Sequence, residues 1–131
     1  MYLLDTNICI YIIKQKPSSV IQNLRAKRIA EVGISSITLA ELEYGVSKSK
    51  ARERNRLALA EFMVPFEVFK FDDVAAGVYG DIRLHLEKKG TPIGPLDTLI
   101  AAHAISIHAT LVTNNMSEFG RIEELKCENW I

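Results

Sequence analysis

Asp5, Glu41, Asp97 and Glu118 each stand where a short apolar run gives way to a helical pattern or a turn. Carboxylates drawn together repel at neutral pH, which raises some of their pKa values unless a cation joins them. Oxygen ligands without accompanying His or Cys are what Mg²⁺ or Mn²⁺ prefers, with water positions left open. Such a site suits phosphodiester cleavage in which the ion activates a water and neutralises charge on the attacked phosphate. Each acid also has an ordinary structural use. Asp5 is a fit N-cap for a helix opening near Thr6, and Thr38 and Glu41 have the spacing of a capping box in the first turn of a helix. Asp97 complements the dipole of a helix opened by Pro95. For all three to be only caps, three separate uses would have to coincide on one edge of the fold.

The elements that place these acids follow from hydrophobic periodicity and from breakers. Tyr2-Leu3-Leu4 is a continuous apolar run, the mark of a strand buried on both faces of a parallel sheet. Asp5 lies at its carboxyl end, the edge at which open α/β sheets bind ligands. Thr6 to Gln15 is long enough for a helix, and Pro17 suits the first position of a second one reaching about Arg28. Val32 to Ser35 reads as a second buried strand. A helix over Ser36 to Ser49 follows, with Leu39, Leu42 and Val46 on one stripe, and then another over Lys50 to Met63. Glu67 to Phe71 is a third strand, and Asp72 or Asp73 caps a long helix to Lys89 closed by Gly90. Pro95 opens a helix to about His108, apolar nearly all round and hence buried. Ala101, Ala104 and His108 lie roughly beneath Asp97 on it, the alanines letting another backbone approach. Thr110 to Thr113 is a fourth strand, leading into Asn114, Asn115 and Glu118 at the same edge, and Leu125 to Trp130 adds an edge strand. The alternation predicts an α/β fold, one domain over residues 1–131, with a mostly parallel central sheet of four to five strands and helices on both faces.

Composition narrows the class. The 131 residues are 48% hydrophobic and 24% charged, with neither a repeat nor a low-complexity tract, which is ordinary for one globular domain. The apolar runs are too short to span a bilayer, and the opening residues read as a core strand rather than a signal peptide, so a cytoplasmic protein is expected. Cys9 and Cys127 match neither a metal spacing nor a disulfide framework and are expected to be reduced, buried thiols. His85, His103 and His108 lack the spacing of a helical zinc pair and are expected on the surface or in packing roles. The net charge of zero hides an asymmetry. Lys14 to Arg56 holds ten Lys or Arg against four acids, and residues 57–131 hold six against eleven. A basic half can steer nucleic acid, although charged helices are also ordinary solvated faces.

In order and spacing, four blocks resemble the PIN-domain ribonucleases and, more narrowly, the VapC toxins of bacterial toxin–antitoxin pairs. They are Leu4-Asp5-Thr6-Asn7; Ile34-Ser35-Ser36 with Glu41; Pro92-Ile93-Gly94-Pro95-Leu96-Asp97 leading into Ile100-Ala101-Ala102-His103-Ala104; and Leu111-Val112-Thr113-Asn114-Asn115 with Glu118-Phe119. The resemblance covers essentially the whole chain, so residues 1–131 would form one PIN domain. It implies a Mg²⁺- or Mn²⁺-dependent endoribonuclease that inhibits translation. Asp5, Glu41 and Asp97 match the family's metal-binding acids, with Thr6, Asn7 and Thr113 as supporting residues. It also implies a cognate VapB-type antitoxin, whose wrapping segment approaches the acids through a basic side chain, and a homodimer within that complex. Through Pro92-Ile93-Gly94-Pro95 and Val112-Thr113-Asn114-Asn115 the chain is similar to VapC toxins that cut initiator tRNA in the anticodon stem-loop. The basic run Lys48, Lys50, Arg52, Arg54 and Arg56 could face RNA, the antitoxin or solvent.

One departure bears on the metal. Many PIN domains carry a further aspartate just after the fourth-strand threonine, where this chain has Asn114 and Asn115. Either Glu118 or the amide oxygen of Asn115 completes the site, and one well-held ion is expected. A PIN-like module that binds RNA or a partner without cutting is the alternative. A haloacid-dehalogenase phosphatase would need a second aspartate where Asn7 stands. A response-regulator receiver would need an acidic pair at the first strand and a mid-chain phospho-acceptor, and neither is present.

Overall fold

A computed structural model describes residues 1–131. Its five strands are β1 (Tyr2–Leu4), β2 (Val32–Ser35), β3 (Glu67–Phe69), β4 (Thr110–Val112) and β5 (Cys127–Glu128). All neighbours pair in parallel, in the order β3-β2-β1-β4-β5. The helices are α1 (Thr6–Lys14), α2 (Ser18–Arg25), α3 (Ser36–Lys48), α4 (Arg52–Met63), α5 (Asp73–Lys88), α6 (Pro95–Ser106) and α7 (Met116–Phe119). Alternation along the central strands divides the core in two. Leu3 and Leu111 point into a cluster with Ile82 and Leu86 of α5 and Ile100 and Ala104 of α6. Leu4, Ile34 and Val112 point the other way, into Ile8, Val20, Leu42, Val46 and Leu59 of the first four helices. Strands buried on both faces need continuous apolar runs, the pattern the sequence carries.

The chain moves outward from β1 through β2 to β3, then returns to the other side of β1 for β4 and β5. The order therefore reverses between β1 and β4, which opens the crevice used by α/β ligand sites beyond the carboxyl ends of those strands.

Several expected boundaries shift. β3 stops at Phe69 because the Phe71 amide donates to Ser36 Oγ at 3.1 Å instead of extending a ladder. The second helix ends at Arg25, and a 3₁₀ turn over Ile29–Glu31 leads into β2. His108 lies beyond α6 with φ 55°, so it is not beneath Asp97. Cys9 is buried but Cys127 is only half-buried, and both are free.

Gly33 in β2 is required by its neighbour. A Cβ built there would fall within 2.7 Å of Phe69 Cδ2, with another ring atom closer still. Gly33→Ala is therefore expected to lower stability by about 1–3 kcal/mol through overpacking, and Phe69→Leu should restore part of that loss. Urea unfolding of the single and double variants checks this.

Candidate active site

Asp5 is the N-cap of α1, with extended backbone at φ −77° and ψ 170°. Its Oδ1 accepts the Ile8 amide at 3.0 Å, and the Thr113 hydroxyl donates to Oδ2 at 2.5 Å. The Asn7 amide also supports the carboxylate, whereas the Asn7 side chain is exposed. Asp5 is 5% exposed, and burial raises its pKa, with the Glu41 charge adding to the rise and the hydrogen bonds opposing it. Thr113 ties strand to site in both directions, since its Oγ1 also accepts the Asn115 amide at 3.0 Å.

Glu41 belongs to α3, whose true N-cap is Ser35: its Oγ accepts the Ile37 amide at 3.0 Å. That places Glu41 in the second turn rather than the first, and the capping box with Thr38 does not form. The carboxylate instead accepts a hydrogen bond from Thr6 Oγ1 at 2.7 Å, which links α3 to the start of α1. Thr38 Oγ1, one turn earlier on α3, is buried and has no partner.

Asp97 sits in the first turn of α6, behind Pro95 at the first position, and Thr98 Oγ1 closes that turn on the Gly94 carbonyl at 2.8 Å. Its pKa is pushed up to about 6. Burial is the largest cause, followed by a hydrogen bond with Glu118 and the charges of Glu118, Glu41 and Asp5. Glu118 comes from α7, a helix of four residues held down by the buried Phe119. Asn115 Oδ1 is used locally, accepting from Ser117 Oγ at 3.3 Å, and Asn114 Nδ2 donates to the Tyr11 hydroxyl at 3.3 Å.

The four acids thus share one electrostatic neighbourhood at the crevice between β1 and β4. Their side chains do not close into a common ligand shell of three or more groups. Glu41 leans to Thr6, Asp97 to Glu118, and Asp5 to Thr113 and the α1 amides. Oxygen donors only, raised pKa values at Asp5 and Asp97 and an orphaned hydroxyl one turn before Glu41 are the chemistry a hard divalent cation fits, and such ions keep several waters between themselves and protein oxygens.

Spacing alone did not reveal the role of His103. It is 1% exposed, its Nδ1 pairs with Ser35 Oγ at 2.7 Å, and Phe71 meets its ring edge-on at 5.6 Å between centroids. The pair joins the helix that carries Asp97 to the cap of the helix that carries Glu41. The sequence signal was a lone polar residue in the middle of an otherwise apolar helix.

This sheet, with acids at its crevice, defines a class, and residues 2–125 match the PIN-domain family model. The chain belongs to the PIN-domain family, and within it to the VapC ribonucleases. Ribonuclease VapC2 of Rickettsia felis is 50% identical over 131 residues, covering 99% of this chain and 98% of the relative. The tRNA(fMet)-specific endonuclease VapC of Salmonella typhimurium is 47% identical, covering 98% and 97%. The crystal structure of VapBC2 from Rickettsia felis, bound to a DNA fragment from its promoter, superposes with a TM-score of 0.93 at 48% identity, covering 99% and 98%.

Because the folded Asp97 titrates near 6 rather than at its ordinary 3.8, the folded state holds the extra proton between those values. This group's contribution to stability is present below about pH 4 and is lost as the pH rises through 6. Asp97→Asn removes that loss. We expect it to raise stability at pH 7 by about 1–2 kcal/mol after solvent screening, in metal-free buffer, with no gain at pH 4. Thermal unfolding across that range tests the expectation, and an equal change at both pH values would contradict it.

Proposed function

We propose that this protein is the toxin of a type II toxin–antitoxin pair, an endoribonuclease that needs Mg²⁺ or Mn²⁺ and cleaves RNA to inhibit translation. The observation that carries the reading is the clustering of Asp5, Glu41, Asp97 and Glu118 at the strand-order reversal, in a chain half identical to a VapC ribonuclease throughout. Those four residues would hold the ion, in part through intervening water. When bound, it supplies Lewis-acid stabilisation to the attacked phosphodiester. Thr113 and the α1 amides fix the Asp5 carboxylate, and Thr6 fixes that of Glu41. Glu118, rather than Asn115, is the fourth acid in this reading, because the Asn115 oxygen already serves Ser117.

The name of the Salmonella relative supports initiator tRNA as the substrate, and the VapBC2 complex supports a VapB-type antitoxin as partner; a toxin homodimer within that complex belongs to the same reading. A groove of about 280 Å³ between α1, α3 and α4 suits an apolar antitoxin segment. Ile10, Ile13, Leu42, Val46 and Leu59 line it, and it opens beside Glu41, where a basic side chain of that segment would meet the acids. No helix is long and apolar enough to cross a membrane.

Protein freed of antitoxin should cut initiator tRNA in the anticodon stem-loop with Mg²⁺ or Mn²⁺ and stop in EDTA. Asp5→Asn and Asp97→Asn should each lower the rate by more than about 100-fold, the loss that changes around metal ligands already reach. Glu118→Gln should raise the Mg²⁺ needed for half-maximal cleavage more than Asn115→Ala does. Cleavage that persists in EDTA would defeat the metal mechanism, and RNA binding without cleavage under any divalent ion would establish the binding-module alternative.

A further inference from the structure

Glu41, Tyr44 and Lys48 fall at i, i+3 and i+7 on α3, so their side chains share one stripe that begins at the acids. Tyr44 is 65% exposed and is the only aromatic among the exposed large hydrophobic side chains. Lys48 Nζ stands 5.0 Å from the Tyr44 ring centroid, which commits one ring face to a cation. The other face has no aromatic neighbour, since each of the aromatic pairs in the protein joins other residues.

Basic charge continues along the chain, interrupted by the exposed Glu53. Lys50, Arg52 and Arg54 follow on the α3–α4 connection and the start of α4, all exposed. None of these three, nor Lys48, takes part in any of the four ion pairs of the protein. Glu43, the acid adjoining Tyr44, is held by Arg56 at 3.4 Å. With a rise of about 1.5 Å per residue, Tyr44 stands about 4.5 Å and Lys48 about 10.5 Å beyond Glu41 along the helix. An aromatic face with unpaired cations beyond it is the arrangement that stacks an unpaired base and follows its backbone.

We propose that Tyr44 is a base-stacking subsite: it takes an unpaired nucleobase flanking the scissile phosphate, while Lys48, Lys50, Arg52 and Arg54 follow the adjoining backbone. The proposal rests on the ribonuclease reading and adds where a substrate base lies and that it is unpaired. A base inside a duplex has no free face for the ring.

The test is fluorescence anisotropy with a labelled oligouridylate, alone and annealed to its complement, in the Asp97→Asn background with Mg²⁺. Tyr44→Ala should weaken binding of the unpaired strand about tenfold and leave the duplex unchanged, whereas Tyr44→Phe should bind as the parent does. Lys48→Gln should reduce the slope of log affinity against log salt by about 0.7. Equal binding by Tyr44→Ala, or equal losses on both RNAs, would overturn the proposal. So would a change of sedimentation coefficient in Tyr44→Ala, which would make the ring a contact between copies of this chain. If the wild type neither binds nor cuts RNA, the ribonuclease reading falls with it. If the wild type cuts RNA and Tyr44→Ala cuts unpaired RNA with an unchanged KM, only the stacking subsite falls.

Discussion

The Asp5 carboxylate is buried at the point where the strand order reverses, and much of the molecule is arranged so that it can be. Removing a charged carboxylate from water is costly unless its oxygens are hydrogen-bonded. Here one oxygen takes the Ile8 amide and the other the Thr113 hydroxyl, while the Asp5 amide donates to the Val112 carbonyl at 3.0 Å. Those bonds need α1 to begin immediately after β1, and β4 to lie beside β1 in a register that brings Thr113 level with Asp5. Even so, its pKa stays raised, so the hydrogen bonds do not fully offset burial. The geometry that caps α1 also holds the carboxylate beside Thr113 at the end of β4.

The other acids are held against their mutual repulsion by apolar anchors on the far side of their own elements. Leu42 and Val46 seat α3, Ile100, Ala101 and Ala104 seat α6, and Phe119 seats α7, all within the two buried clusters. Between α3 and α6 the link is polar, through His103 and Ser35, and burial lowers the His103 pKa toward a neutral ring. The Asp72 charge opposes that shift without cancelling it.

The sheet was legible because short, continuous apolar runs mark strands covered on both faces, and the acids were legible because each follows such a run or opens a helix. What escaped was set by contacts between residues distant in sequence. Ser35 ends a strand by its pattern, yet its hydroxyl caps α3, and that moved Glu41 from the first turn to the second. β3 is two residues shorter than its apolar pattern because Phe71 donates to Ser36, 35 positions away. α7 spans four residues, too few to show a helical period, and its start has no side-chain cap. His103 finds its partner 68 positions away, which spacing within one helix cannot disclose.

The absence of an acid at Asn114 and Asn115 changes how the negative charge is delivered rather than whether it is present. A carboxylate at the end of β4 would be fixed by the strand. Glu118 reaches the site from a short helix, on a longer side chain, and adds to the rise of the Asp97 pKa. The raised Asp97 pKa is what burial and that proximity cost at neutral pH. A cation taken up at this edge would have to displace the proton that the raised Asp97 pKa retains, because carboxylate ligands bind metal only when deprotonated. With asparagines at the strand end, the charge beside Asp97 comes from Glu118, while Asp5 is fixed by its own hydrogen bonds to Ile8 and Thr113.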